Sequence, residues 1–375
     1  MKTIKPSAWI KIFITVLCIV LAACMGTVAL LDPFFHYHRP LGGFFYVLDN
    51  ERSQNDGIIR HFDYDALITG TSLTQNFRPS EADELFSVHS VKVCFAGATF
   101  AEIEANIEKA LDTRDVRMVI RCLDDNYLVR EADERREDMG DYPDWLYNDN
   151  PLDDVKYLLS GDVLARYCGP MLIGKLSGRP GGITSFDEYS NWMEGAVFGH
   201  DPVMWNVLSA ETQEHLDAGL ADMDGYHFTG PVPQRKLTAE ELETERVNIE
   251  KNVLAAAKLH PETTFYYYFP PLSGIGWQAL YAAGEAEARI EAQRAAAELI
   301  LAQDNIKLYS FASDTYTTDD PDNYKDTGHY GEWVNTYILE CMASDPEKGP
   351  GTHRLTAGNA GEYFAELEEL YLTVK

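Results

Sequence analysis

The stretch Asp65-Ala66-Leu67-Ile68-Thr69-Gly70-Thr71-Ser72 decides the reading of this chain: a short apolar run, then a glycine and two hydroxyl side chains. Bounded in this way, residues 65–69 read as a buried strand. The sequence that follows repeats the rhythm. Pro79 to Leu85 has the pattern of a short helix, Val88 to Phe95 of a second strand, Phe100 to Leu111 of a helix and Val116 to Leu123 of a third strand. Strands alternating with helices imply parallel pairing through right-handed crossovers.

The rhythm stops between Tyr127 and Arg235, where Trp, Tyr, Pro and Gly are scattered among charges without a sustained period. Residues 127–235 therefore read as an insertion, helical in part at 150–158 and 210–220, and placed to act as a lid or substrate platform. Beyond it, Thr238 to His260 reads as one long helix with a capping box at Thr238 and Glu241. A strand Thr263 to Phe269, a turn at Pro270-Pro271, a helix Gln278 to Ala302 and a strand Ile306 to Phe311 complete the pattern. The expected fold is α/β: a three-layer sandwich around a mostly parallel five-stranded sheet over residues 64–343, with residues 344–375 as a C-terminal extension.

Outward in the other direction, residues 32–63 form a juxtamembrane stretch rich in aromatics, and Ile12 to Leu31 is a run of 20 residues without a charge. At 1.5 Å per residue such a helix spans about 30 Å, the thickness of a hydrocarbon core. Lys2, Lys5 and Lys11 precede the run and an acidic domain follows, so residues 1–31 read as a cytoplasmic tip and an uncleaved transmembrane anchor, with the main domain extracytoplasmic. Three other readings compete. A signal peptide would be cut after Leu21-Ala22-Ala23, but the apolar run continues for eight residues without a polar region. A lipobox at Leu21-Ala22-Ala23-Cys24 would lipidate Cys24, but a polar tether does not follow. A buried helix, apolar all round, would need neighbours on every side.

Residues 1–31 hold three Lys and no acid, which leaves 28 basic against 60 acidic side chains beyond them, a formal charge of −32. This excludes nucleic acid as a partner and disfavours tight docking onto an anionic lipid surface, so that a domain working near a membrane does so because it is tethered there. The six cysteines include no CxxC pair and no zinc spacing, so no metal and no cofactor is expected.

In open α/β sheets the chemistry sits at the carboxyl ends of the strands. Strand one ends in Gly70-Thr71-Ser72, the one Gly-x-Ser of the chain, where Ser72 is either a nucleophile near a helix N-terminus or simply a cap. Strand two ends in Phe95-Ala96-Gly97-Ala98, and a glycine there lets a backbone N–H face an oxyanion. Strand three ends in Leu123-Asp124-Asp125-Asn126, of which only Asn126 donates without first being protonated. After the last strand, Asp326-Thr-Gly-His329 has the spacing for a carboxylate that orients an imidazole base. A second Asp-x-x-His at Asp224 and His227 falls in the insertion, away from that rim. His36, His38 and His61, with scattered carboxylates, offer metal-assisted hydrolysis as a weaker alternative.

This ordered set of blocks over roughly residues 60–126 and 237–340 resembles the SGNH (GDSL-like) hydrolase superfamily. It is most similar to the membrane-anchored, extracytoplasmic branch that includes D-alanyl-lipoteichoic-acid biosynthesis proteins and cell-wall O-acyltransferases. The resemblance implies Ser72 as nucleophile, His329 as general base, Asp326 as its orienting partner, and an oxyanion hole of Gly97 and the Ser72 amide. Block one reads Gly-Thr-Ser where the family has Gly-Asp-Ser, and block three lacks Gly-x-Asn-Asp, so its register sets either Asp124 or Asn126 at the oxyanion; Asn126 is the donor of the two. The implied activity is a serine acyl esterase or O-acyltransferase acting on an acylated polysaccharide or other envelope ester. The alternative is a non-catalytic envelope binding or scaffold protein that retains the fold. Oligomeric state leaves no trace in the sequence.

Overall fold

The computed structural model describes residues 6–136, 138, 142–148, 150–210, 218–222, 225–344 and 353–373. Its helices of eight residues or more are α1 (Pro6–Leu31), α2 (Glu51–His61), α3 (Pro79–Phe86), α4 (Phe100–Thr113), α5 (Gly169–Leu176), α6 (His200–Ala210), α7 (Ala239–Asn252), α8 (Gly274–Ala282), α9 (Ala286–Ile300), α10 (Glu332–Ser344) and α11 (Ala360–Leu372). The main sheet is built from β1 (Ala66–Thr69), β2 (Ser90–Lys92), β3 (Met118–Cys122), β4 (Thr264–Phe269), β5 (Ile306–Ser310) and β6 (Arg354–Leu355). The chain divides into one unit of residues 1–62 and 141–185 and another of 63–140 and 186–375.

In the larger unit the sheet order is β6-β5-β4-β3-β1-β2, parallel throughout except for β6. The five expected strands are therefore six: Arg354 and Leu355, in the stretch read as an extension, pair antiparallel with Tyr309 and Leu308. Two residues carry too short an alternation to be seen in a sequence. β1 and β3 are buried along their whole length, as strands covered on both faces must be. Ala66, Ile68, Ile120, Tyr268 and Tyr309 join a core with Val334, Ile338 and Met342 of α10 and with Ala82 of α3. The alternate residues Leu67, Val119, Phe265, Tyr267 and Leu308 are buried as fully.

Arg121 sits in that second phase of β3. Its guanidinium pairs with Glu104 of α4 at 2.7 Å and lies over the rings of Phe100 and Tyr267. Both charges are buried, which is tolerable only because they are paired. The capping box of Thr99 and Glu102 starts α4, and that of Thr238 and Glu241 starts α7. The helix expected over 238–260 breaks at Val253-Leu254, where the Val253 carbonyl accepts from the Tyr267 hydroxyl and the Ala256 N–H turns to Glu104. The helix expected over 278–302 breaks at Gly284, whose φ of +77° suits glycine. The helix expected over 210–220 falls largely on residues 211–217, outside the described residues.

In the smaller unit, α1 is long and apolar enough to cross a membrane, with a mean hydropathy of 2.6 over its best 18 residues. Its length is exposed up to about Leu21, while Val28 and Leu31 near its end are buried. There α1 packs on the turns at Val155–Leu158 and Val163–Cys168. Asp32 ends the helix with φ +46°, its carboxylate accepting the backbone N–H groups of His36, Tyr37 and His38 and the hydroxyl of Tyr157. His36 pairs with Asp154 at 3.1 Å and accepts from Arg60 at 3.0 Å. His38 bonds the carbonyls of Arg39 and Leu30. Among the described residues no group of three or more His, Cys, Asp or Glu is placed to hold a metal ion.

Candidate functional site

The order of the parallel strands reverses between β1 and β3, and in open α/β sheets the crevice at such a reversal holds the site. Gly70 makes the turn out of β1 with φ +147°; a Cβ there would stand 2.7 Å from Thr74 and 3.1 Å from the Cys122 side chain. Thr71 caps the short 3-10 turn Ser72–Thr74. Ser72 thus stands at the head of a helical turn with its hydroxyl free to point along the crevice, the placement expected from the sequence.

His329 comes from the other end of the chain. Tyr324 and Tyr330 are both buried and form an antiparallel bridge, and the loop between them carries Asp326 and His329. The Asp326 carboxylate accepts the N–H groups of Gly328 (3.0 Å) and His329 (2.8 Å), and lies 2.8 and 3.0 Å from His329 Nδ1. His329 Nε2 is 2.7 Å from Ser72 Oγ. Burial alone would raise the pKa of Asp326, but the hydrogen bonds and charge of His329 and the backbone donors together hold it below the ordinary carboxylate value. An ionised Asp326 fixes the ring proton on Nδ1 and leaves the Nε2 lone pair facing the hydroxyl. Ser72, His329 and Asp326 therefore form one continuous hydrogen-bonded chain with the spacing a serine nucleophile requires.

The crevice is a cavity of about 660 Å³ lined by Ser72 and His329. Its lining mixes apolar side chains, Leu73, Val207, Leu272 and Leu280 among them, with the polar Asp124, Asn126, Asn206 and Arg289. Asp124 is tied to the Ser72 turn: Oδ2 accepts the Thr71 hydroxyl at 2.9 Å, while Oδ1 accepts both the backbone and side-chain N–H of Asn126 at 3.1 and 3.0 Å. Asn126 in turn accepts from Arg289 at 3.0 Å. The expected donor Asn126 lines the cavity, then, with one amide hydrogen directed to Asp124. Gly97 does not line it. With φ +64°, its carbonyl receives the Tyr127 hydroxyl and Arg136, and a Cβ would meet Arg136 at 2.7 Å. His227 of the second Asp-x-x-His pairs with Asp222 at 2.9 Å, and Asp224 lies outside the described residues.

Asp125, which also lines the cavity, accepts from Gln293 at 2.5 Å, and burial pushes its pKa up to about 7 against the lowering pull of Arg289 and Gln293. Glu245 of α7 is wholly buried with neither carboxylate oxygen bonded. Burial first, then the charges of Asp125 and Glu291, push its pKa up to about 8.

Sequence reasoning passed over Trp192, which lies in the aperiodic insertion. Its ring meets the His329 imidazole edge-on at 5.7 Å between centroids, and Lys325 Nζ sits 3.8 Å over its face. A lone Trp in a stretch without period gives no signal of such a role.

No family model matches this chain, and a search of curated proteins finds no significant relative.

Proposed function

We propose that this protein is an SGNH-like serine acyl esterase or O-acyltransferase, built on a three-layer α/β sandwich and held by α1 in a membrane with its main domain on the extracytoplasmic side. The single observation that carries the reading is the chain Asp326–His329–Ser72, closed at 2.8 and 2.7 Å at the switch point of the sheet.

The chemistry follows from that geometry. His329 Nε2 takes the Ser72 proton as Oγ attacks an ester carbonyl, forming a C–O bond and an oxyanion. The Ser72 N–H at the head of its turn and the Asn126 amide are the donors suited to that charge. Collapse breaks the ester bond; His329 gives its proton to the departing alcohol and leaves acyl-Ser72. Water or a sugar hydroxyl then attacks, its proton passing to His329, and releases Ser72 with a free acid or a new ester. The apolar lining residues suit an acyl group and the polar ones a hydroxyl-bearing partner, for which acylated polysaccharides or other envelope esters are the substrate class.

The test is labelling of the full-length protein in detergent with a fluorophosphonate. We expect an adduct at Ser72 that disappears in Ser72→Ala and His329→Ala. Folded protein that stays unlabelled would favour a second reading, a binding or scaffold protein on the same fold, which the carboxylate of Asp124 beside the Ser72 turn supports: a negative charge there opposes an oxyanion.

A further inference from the structure

We propose that the segment from Leu152 to Arg179 is an interfacial element that lies against the lipid surface beside α1. The proposal rests on reading α1 as the membrane anchor and adds a second, lateral contact to it. α5 buries Met171 but leaves Ile173 and Leu176 exposed at 68% and 88%, with Leu172 beside them. Leu152 is exposed at 81%, and Val155 and Leu159 also face outward. Single exposed leucines need no explanation, whereas six large apolar side chains within 25 residues of sequence do.

Two observations name a bilayer as the occupant. The first is continuity. The turns at Val155–Leu158 and Val163–Cys168 are the elements that pack on the end of α1, and α5 follows directly from the second of them. A helix exposed from Trp9 to Leu21 needs hydrocarbon around it, so residues wrapped round its last turn stand where it leaves the hydrocarbon. The second is charge. Over the proposed segment, Leu152 to Arg179, Lys156, Arg166, Lys175 and Arg179 stand against Asp153, Asp154 and Asp162, a balance of +1 in a protein of net charge −29. Lys175 Nζ lies 5.7 Å from the centre of the Phe44 ring and the Arg179 guanidinium 3.7 Å over that of Phe45. Apolar side chains interleaved with such cations form the pattern of a helix seated at headgroup level. The acidity that keeps the domain as a whole off anionic lipid is locally reversed here.

The test uses the full chain in nanodiscs of phosphatidylcholine and phosphatidylglycerol with doxyl-labelled lipid as quencher. With Cys18→Ser, Cys24→Ser and Cys341→Ser, a fluorophore is attached at Ile173→Cys or Leu176→Cys, with Leu259→Cys as an exposed apolar control; native Cys18 with Cys24→Ser and Cys341→Ser reports on the anchor itself. We expect at least twofold quenching at 173, 176 and Cys18, and none at 259. Quenching at Cys18 alone would overturn the interfacial contact and leave the anchor standing, and no quenching at any position would remove both. Thiol-crosslinked dimers through 173 or 176 without quenching would assign the surface to a second copy of the chain and overturn the proposal.

Discussion

The indole Nε1–H of Trp192 donates to the carbonyl oxygen of Ser72 at 3.0 Å, and the backbone N–H of Trp192 donates to Asn76 Oδ1 at 3.1 Å. One residue therefore pins the turn that carries Ser72 while its ring edge abuts His329. Trp192→Phe keeps the ring and removes the donor. The expected result is a loss of about 0.5–1.5 kcal/mol in stability and a fall in esterase kcat with KM little changed, read by denaturant melts and steady-state kinetics.

On the proposed reading, Ser72 and His329 act as a unit. Either Ser72→Ala or His329→Ala should lower kcat by roughly 10³–10⁶-fold, and the double variant should be no slower than the worse single one. Additive losses would mean that the two side chains do not share a step.

Asp326→Asn leaves a group of the same shape but removes the charge that holds the proton on Nδ1. It should lower kcat by about 10²–10⁴-fold and lower the thermal midpoint at neutral pH. Because the folded Asp326 has a lowered pKa, its contribution to stability is present above the unfolded value of about 3.9 and is lost as the pH falls through the folded value. The variant and the wild type should therefore converge in stability in acid.

Glu245 gives the opposite sign. Its folded pKa, about 8, exceeds an unfolded value of about 4.3, so the folded state binds more protons between the two. The stability of the neutral form is fully present below the unfolded value and is lost as the pH rises through 8, with a slope of at most about 1.4 kcal/mol per pH unit. Glu245→Gln should flatten the dependence of denaturant midpoint on pH between 5 and 8; an unchanged slope would assign it elsewhere.

The elements most legible in the sequence were those whose burial is continuous. β1 and β3 are buried along their whole length, and β4 and β5 over most of theirs, so each could be read without its neighbours. β6 could not, because Arg354 and Leu355 become a strand only when Tyr309 and Leu308 are beside them. The breaks at Val253 and Gly284 were hidden for a related reason: helix formers surround both, and the groups that end each helix come from the tertiary fold. At the site, Ser72, Asp326 and His329 were legible because each follows a strand or stands at fixed spacing. The bond from Thr71 to Asp124 and the clamp by Trp192 join residues far apart in the sequence, whose mutual placement no local pattern encodes.

Ser72 and His329 lie 257 residues apart, a separation that orders events in time as well as in space. At about 5–20 residues per second of synthesis, the serine leaves the ribosome on the order of tens of seconds before the imidazole that activates it. Through that interval the hydroxyl is no more nucleophilic than any other, so a nascent or truncated chain is chemically silent. On the proposed reading, reactivity arrives only once His329 has been made and has folded against Ser72.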